Sequence, residues 1–114
     1  MKALELRDYN DGMLFEVDLE RPAAGPGQVL IRVVASGVNP IDDKIRTGVA
    51  PYAMPDLPAI LGTDVSGVVE AVGPGVTRFK QGDDVYGLAG GVRGLAGSLA
   101  EFMVADADLS LIKI

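Results

Sequence analysis

The sequence predicts a mainly β domain, and three observations carry that expectation. Fifteen glycines and seven prolines are spread along 114 residues rather than clustered, which is the punctuation of many short strands. Met13, Phe15, Val17 and Leu19 alternate with Glu16, Asp18 and Glu20, the period-2 pattern of a strand with one dry and one wet face. Val29 to Ala35 (Val-Leu-Ile-Arg-Val-Val-Ala) is apolar on both faces apart from Arg32, as suits a strand lying centrally in a sheet.

In chain order, Lys2 to Arg7 reads as the first strand and Asp8 to Gly12 as a turn built from Asp, Asn and Gly. The alternating segment from Met13 pairs back on it, although Leu14 breaks the polar row. Arg21 to Gly27 is a tight Pro/Gly loop into the central strand. From Ser36 to Gly48, Pro40 at a first helical position, Ile41 and Ile45 four apart, and a closing Gly48 predict one short helix. Asn39 stands where its N-cap belongs. Val49 to Asp56, with two prolines and Tyr52, reads as an irregular surface loop.

Val68-Val69 with Val72 form a further strand that stops at Gly73-Pro74-Gly75. Phe79 to Asp83 turns into a strand over Asp84–Leu88, and Ala89 to Gly97 reads as a glycine-rich loop. Ser98 to Val104 and Leu109 to Ile114 are expected as two closing strands, joined by Ala105-Asp106-Ala107-Asp108. No repeat, linker or composition break divides the chain, so a single domain over 1–114 is expected.

Composition removes several functions. The net charge of −6 is spread in mixed sign with no Lys/Arg block, which argues against nucleic acid or an anionic membrane as partner. The absence of cysteine excludes disulfides, thiolate metal sites and cysteine nucleophiles. The absence of histidine removes the usual general base and a usual metal ligand. Met1-Lys2-Ala3-Leu4-Glu5 lacks the apolar region of a signal peptide, and no run approaches the ~18 apolar residues of a membrane span. The cytoplasm is the expected compartment. The glycine-rich loop lacks the Gly-Lys-Ser/Thr ending of a phosphate loop, so Arg93 is as readily a solvated charge as an anion ligand. No Gly-x-Gly-x-x-Gly joins a strand to a helix, so a dinucleotide-binding fold is not expected within these residues.

The stretch with the most chemistry is Pro58 to Val76. Thr63 and Asp64 lie between Gly62 and Gly67 at the mouth of a strand, a place suited to face a ligand. The plainer account is a buried strand whose Thr and Asp bond local backbone donors. The spacing Gly62-Thr63-Asp64, two residues, Gly67, five residues, Gly73, two residues, Val76 resembles the signature of medium-chain alcohol dehydrogenases and quinone reductases. Pro22 to Val33 is similar to the family's turn and strand, and Gly37-Val38-Asn39-Pro40-Ile41-Asp42 to a segment of quinone oxidoreductases. Gly82-Asp83-Asp84-Val85-Tyr86-Gly87 resembles the family's Gly-Asp-Arg-Val turn, and Gly97 to Val104 its Gly-x-x-Ala-Glu-Tyr strand, with Phe102 at the aromatic place.

The resemblance runs over essentially the whole chain and is to the amino-terminal catalytic domain of that family. It implies a GroES-like, partly open β-barrel with one or two short helices. It also implies NAD(P)H-dependent reduction of a small-molecule quinone or α,β-unsaturated carbonyl, with NADPH held by the family's Rossmann domain and a homodimer allowed for the full-length form. In the zinc branch, Cys, His and Glu stand at the positions of Asn39, Thr63 and Asp64. Their replacement here implies no zinc and no other metal, since one carboxylate cannot hold a catalytic ion. The resemblance places Asn39 at the nicotinamide end of the cleft, as a catalytic and cofactor-contacting residue. Lys44, where a tyrosine is frequent, becomes a cation able to polarise a carbonyl oxygen, or a solvated helix charge beside Asp42 or Asp43. Thr63 and Tyr52 would border the substrate, although a tyrosine on a surface loop is the commoner case, and Asp42 would be structural. Two other readings remain: a stand-alone GroES-like binding or assembly module, and a degenerate zinc alcohol dehydrogenase domain, which the missing ligands disfavour.

Overall fold

The fold is given by a computed structural model that describes residues 1–37, 40–48, 57–88, 96–108 and 111–113. Among the described residues, eight strands and one helix follow in order: β1 (Lys2–Leu6), β2 (Leu14–Asp18), β3 (Gln28–Ala35), α1 (Pro40–Arg46), β4 (Ala59–Ile60), β5 (Asp64–Val72), β6 (Asp84–Leu88), β7 (Phe102–Asp106) and β8 (Leu111–Lys113). They form two antiparallel sheets, ordered β2-β1-β4 and β7-β3-β5-β6-β8. The mainly β class is therefore as the sequence predicts, with sheets that do not close into a complete barrel. Among the described residues no helix is long and apolar enough to cross a membrane.

The larger core lies under one face of the five-stranded sheet. Period-2 alternation sends Val29 and Ile31 of β3, Val65 and Val69 of β5, Val85 of β6 and Met103 and Ala105 of β7 to that face, where Phe79, Ala107 and Leu111 join them. β3 is flanked on both sides, by β5 and β7, as its apolar run requires. Only its first half is dry on both faces, Leu30 being buried with Val29 and Ile31. Two bulges account for the rest. The β3–β5 register passes from Leu30↔Ala71 to Ile31↔Val69, leaving Glu70 as the extra residue, and from Val33↔Gly67 to Ala35↔Ser66, leaving Val34 as the other. An extra residue bends its strand and escapes the alternation, so Val34 is 65% exposed.

A smaller core of Leu6, Ile45 and Leu61 seats α1 on the three-stranded sheet. α1 begins at Pro40, and Gly48 (φ +79°) returns its amide to the Ile45 carbonyl, as the sequence predicts. Arg46 ties the helix to the β1–β2 turn, donating to the Gly12 carbonyl (3.0 Å) and to Asp43 Oδ1 (2.7 Å). Asp42–Asp43 in the first turn and Lys44 and Arg46 in the last suit the helix dipole.

Three boundaries differ from expectation. β2 is shorter than expected, and its alternation holds from Phe15 on, with Glu16 and Asp18 exposed. Leu14 stands opposite Leu6 and packs on the smaller core, Phe15 and Val17 on the other face stay half-buried, and Met13 lies outside the strand, 56% exposed. The strand expected over Ser98–Val104 starts at Phe102 and runs through Asp106, because residues 97–101 spend their backbone groups on other segments. The short strand β4, pairing Ala59 and Ile60 with β1, is an addition that two residues of sequence could not signal. The expected loop at Val49–Asp56 lies outside the described residues.

Burial separates neighbouring positions of β3 sharply. Ile31→Ala should cost about 2–5 kcal/mol, from lost transfer energy and a cavity in the larger core, whereas Val34→Ala should stay within about 0.5 kcal/mol. Urea melts of both variants check this, and equal costs would contradict the bulge at Val34.

Candidate functional site

Three backbone segments meet at one end of the five-stranded sheet: the exit of β3 at Ser36–Gly37, the entry of β5 at Gly62–Asp64, and residues 97–99. The last two are stitched together. Gly97 donates its amide to the Ile60 carbonyl (2.9 Å), Ser98 to Gly62 (3.0 Å) and Leu99 to Leu61 (3.0 Å). The approach leaves no room for side chains. A Cβ on Gly97 would lie 2.3 Å from the Leu61 oxygen, and one on Gly62, whose φ is +106°, would lie 2.5 Å from Ser98 Oγ. Both glycines of the sequence pattern are therefore steric requirements of the seam, and Gly62 is also a conformational one.

Ser98 is 1% exposed. Its Oγ donates to the Asp64 main-chain oxygen (2.6 Å) and lies 2.6 Å from Ser36 Oγ. Two hydroxyls thus link all three segments. Gly37 gives the Asp64 side chain its place, since a Cβ at Gly37 would come within 2.9 Å of Asp64 Oδ2.

An open cleft of about 740 Å³ lies over this junction, with Ser36, Asp64, Ser66, Tyr86, Leu88 and Leu111 on its walls. That volume is in the range of small-molecule sites. A second cavity of about 140 Å³ opens beneath α1 between Leu14, Asp42, Arg46, Leu61 and Leu99, and Gly37 borders both. Among the described residues, no group of three or more His, Cys, Asp or Glu side chains is placed to hold a metal ion.

The structure brings some of the sequence-predicted residues to this place and not others. Asp64 is on the cleft wall, while Thr63 is buried behind it, 9% exposed. Lys44 is exposed on α1, off the cleft wall, and makes no ion pair among the described residues, since Asp43 pairs with Arg46 (2.7 Å). Asp42 is buried, in keeping with a structural role. Asn39, Tyr52 and Arg93 lie outside the described residues. Sequence reasoning missed Ser36, Ser66, Tyr86 and Ser98. Tyr86 and Ser98 stood inside matched motifs but at their variable places, and no periodicity marks a serine whose partners are 34 and 62 residues away.

Comparison with known proteins agrees with this geometry. Residues 25–114 match the alcohol dehydrogenase GroES-like domain. A quinone oxidoreductase of Sus scrofa is 44% identical over 84% of this chain and 28% of its own length. The NADPH-dependent alkenal/one oxidoreductase of Arabidopsis thaliana chloroplasts is 38% identical over 99% of this chain and 31% of its own. Among solved structures, an alcohol dehydrogenase superfamily protein from Novosphingobium aromaticivorans superposes with a TM-score of 0.93 at 50% identity, covering 99% of this chain and 34% of that one. The chain thus spans about a third of the length of these relatives.

The seam makes a specific demand. Gly97→Ala forces the Leu61 carbonyl away and should destabilise the domain by about 3 kcal/mol or more, at the upper end of overpacking costs. Amide NMR signals of Ser98 and Asp64 should move with it. An unchanged urea midpoint would show that the seam can open without cost.

Proposed function

This chain belongs to the alcohol dehydrogenase GroES-like domain family, in the quinone oxidoreductase-like branch of the medium-chain dehydrogenase/reductases, and from that premise we propose that it is the substrate-binding part of a zinc-independent, NAD(P)H-dependent reductase of quinones or α,β-unsaturated carbonyls. The observation that carries the reading is the position of Asp64, from the most distinctive stretch of the sequence, on the wall of an open cleft, with Thr63 buried next to it in the chain. The names of the relatives supply the reaction class, quinone reduction in one and alkenal/one reduction in the other.

Zinc independence is supported by the donor set. With no histidine and no cysteine in 114 residues, a catalytic zinc would lack the nitrogen and sulfur ligands that such sites use. NADPH is supported by the name of one relative, but the described residues do not fit its pyrophosphate. Their single helix has seven residues and follows no glycine-rich strand-to-helix turn. The cofactor's phosphates would rest on a separate dinucleotide-binding unit.

Within this reading the resemblance assigns Asn39 to the nicotinamide end and Tyr52 and Thr63 to the substrate; Thr63 is buried behind the Asp64 wall, so it would act there only on a substrate that reaches past that wall. Thr63 brings a hydroxyl on a residue that is 9% exposed. Lys44 brings a cation that no described carboxylate neutralises. An ammonium near a carbonyl oxygen stabilises the negative charge that develops there on reduction.

The 114-residue polypeptide by itself should neither oxidise NADPH with small quinones nor hold stoichiometric zinc after dialysis, as read by absorbance and elemental analysis. In a full-length form, Asn39→Ala should lower turnover with little change in melting temperature. Lys44→Ala there should lower turnover by about 10²-fold, the scale of a lost oxyanion donor. Full turnover in both variants would overturn the site assignment, and one tightly held zinc per chain would overturn the zinc-free reading.

A further inference from the structure

β6 carries a glycine in its interior that its backbone does not call for. Gly87 is extended, without the positive φ of Gly62 or Gly82. It pairs on both sides, with Val65 of β5 and Leu111 of β8, and no bulge interrupts either ladder. Gly67 in β5 differs, because a Cβ there would lie 2.4 Å from the Arg32 carbonyl oxygen. A strand glycine without a bulge is the mark of close approach by a ligand or another backbone.

What approaches Gly87 is the cleft. Alternation turns Gly87 to the same face as Val85, so it stands in a core-facing row between Val65 and Leu111. Val65, Val85 and Leu111 are buried, whereas Gly87 is only half-buried. Val65, Gly87 and Leu111 all line the cleft of about 740 Å³. The row thus lacks one side chain in its middle, and the cleft reaches the gap. The strands flanking β6 lie two sheet spacings apart, about 9.5 Å. A flat ring makes carbon contacts at about 3.5–4.0 Å on each face, so it needs about 7–8 Å between apolar walls. Entering edge-on, it fits between Val65 and Leu111. A puckered or branched saturated body is thicker and does not.

We propose that Gly87 is a specificity-determining residue: the side chain it lacks leaves a slot between Val65 and Leu111 that admits the edge of a flat, uncharged ring and excludes a saturated body of the same size. The slot is defined by the cleft's own residues. Its assignment to a substrate rests on the proposed function, in which it takes the ring of a quinone or the conjugated C=C–C=O plane of an enone.

Benzyl alcohol and cyclohexylmethanol test it on the 114-residue chain, since they share a hydroxyl and a six-membered ring and differ in flatness. The titrations contain no cofactor, so their outcome is independent of the proposed reaction. Followed by amide NMR, benzyl alcohol should shift Val65, Gly87 and Leu111 and bind roughly 3- to 10-fold tighter than cyclohexylmethanol. Burial of apolar area alone would favour the saturated ring. Gly87→Ala should fill the slot and weaken benzyl alcohol by about 10-fold or more, the scale of an overpacking clash. Its urea midpoint should stay level or rise, because alanine is the better strand residue. Equal or tighter binding of cyclohexylmethanol by the unmodified chain, shifts confined to other surfaces, or unchanged benzyl alcohol affinity in Gly87→Ala would each overturn the proposal. So would a lowered urea midpoint or a variant that does not fold, since either shows that the protein itself occupies the slot.

Discussion

The run of backbone hydrogen bonds made by residues 97–101 is the constraint on which the two sheets depend. On one side Gly97, Ser98 and Leu99 donate to Ile60, Gly62 and Leu61, while the Leu4 amide donates to Leu99 and the Glu101 amide to Lys2, both within the three-stranded sheet. On the other, Glu101 accepts from Val33 of β3 (2.9 Å) before the chain enters β7. One short irregular segment therefore satisfies edge groups of both sheets. Unpaired edges are costly when buried and adhesive when exposed, and this segment is what stands in for the strand that would close a barrel.

The seam also builds the cleft. Its glycines allow backbone to meet backbone, and at that distance a buried serine can bond the first carbonyl of β5 and the last hydroxyl beyond β3 at once. The bulge at Val34 acts from the other direction. It turns the end of β3 so that Ala35, Ser36 and Gly37 come to the cleft rim rather than continuing the ladder. Seam and bulge are both departures from regular pairing, and both lie where the chemistry-bearing residues gather. Regular sheet would place those side chains in fixed alternation and leave no pocket at its end.

A second seam anchors the opposite end. The Gly25-Pro26-Gly27 and Gly73-Pro74-Gly75 turns dock on each other, with Gly27 donating to Pro74 (3.0 Å) and Gly73 to Gln28 (2.8 Å). Arg21 lies over the Phe102 ring (4.2 Å) and pairs with Glu70 (3.5 Å), so the loop before β3 is held against the outer sheet face. These exposed ion pairs add little singly, but the stacked guanidinium shields the half-buried aromatic face. At the cleft end of the sheet, Val34 and Leu88 are the most exposed of the large apolar side chains among the described residues.

The sequence alone determined the class of fold, most strand positions and the short helix, because those follow from local causes. Two-residue alternation, Pro40 at a helix start, Gly48 at its end and the Gly-Pro-Gly stops each act within a few residues of themselves. It also marked Thr63 and Asp64, through glycines whose spacing reflects a backbone that cannot accept side chains. What only the tertiary structure decided is the pairing of segments distant in sequence. The diversion of Ser98–Glu101 from strand into seam depends on β1, β3 and β4 lying beside it, and no local propensity encodes that. The same holds for the division of labour between Thr63, buried, and Asp64, on the wall, and for Leu14 over Met13 at the smaller core. Register sets these outcomes, and a shift of one residue exchanges the two faces of a strand. The bond from buried Ser98 to a carbonyl 34 residues away is the extreme case, and a sequence carries no sign of it.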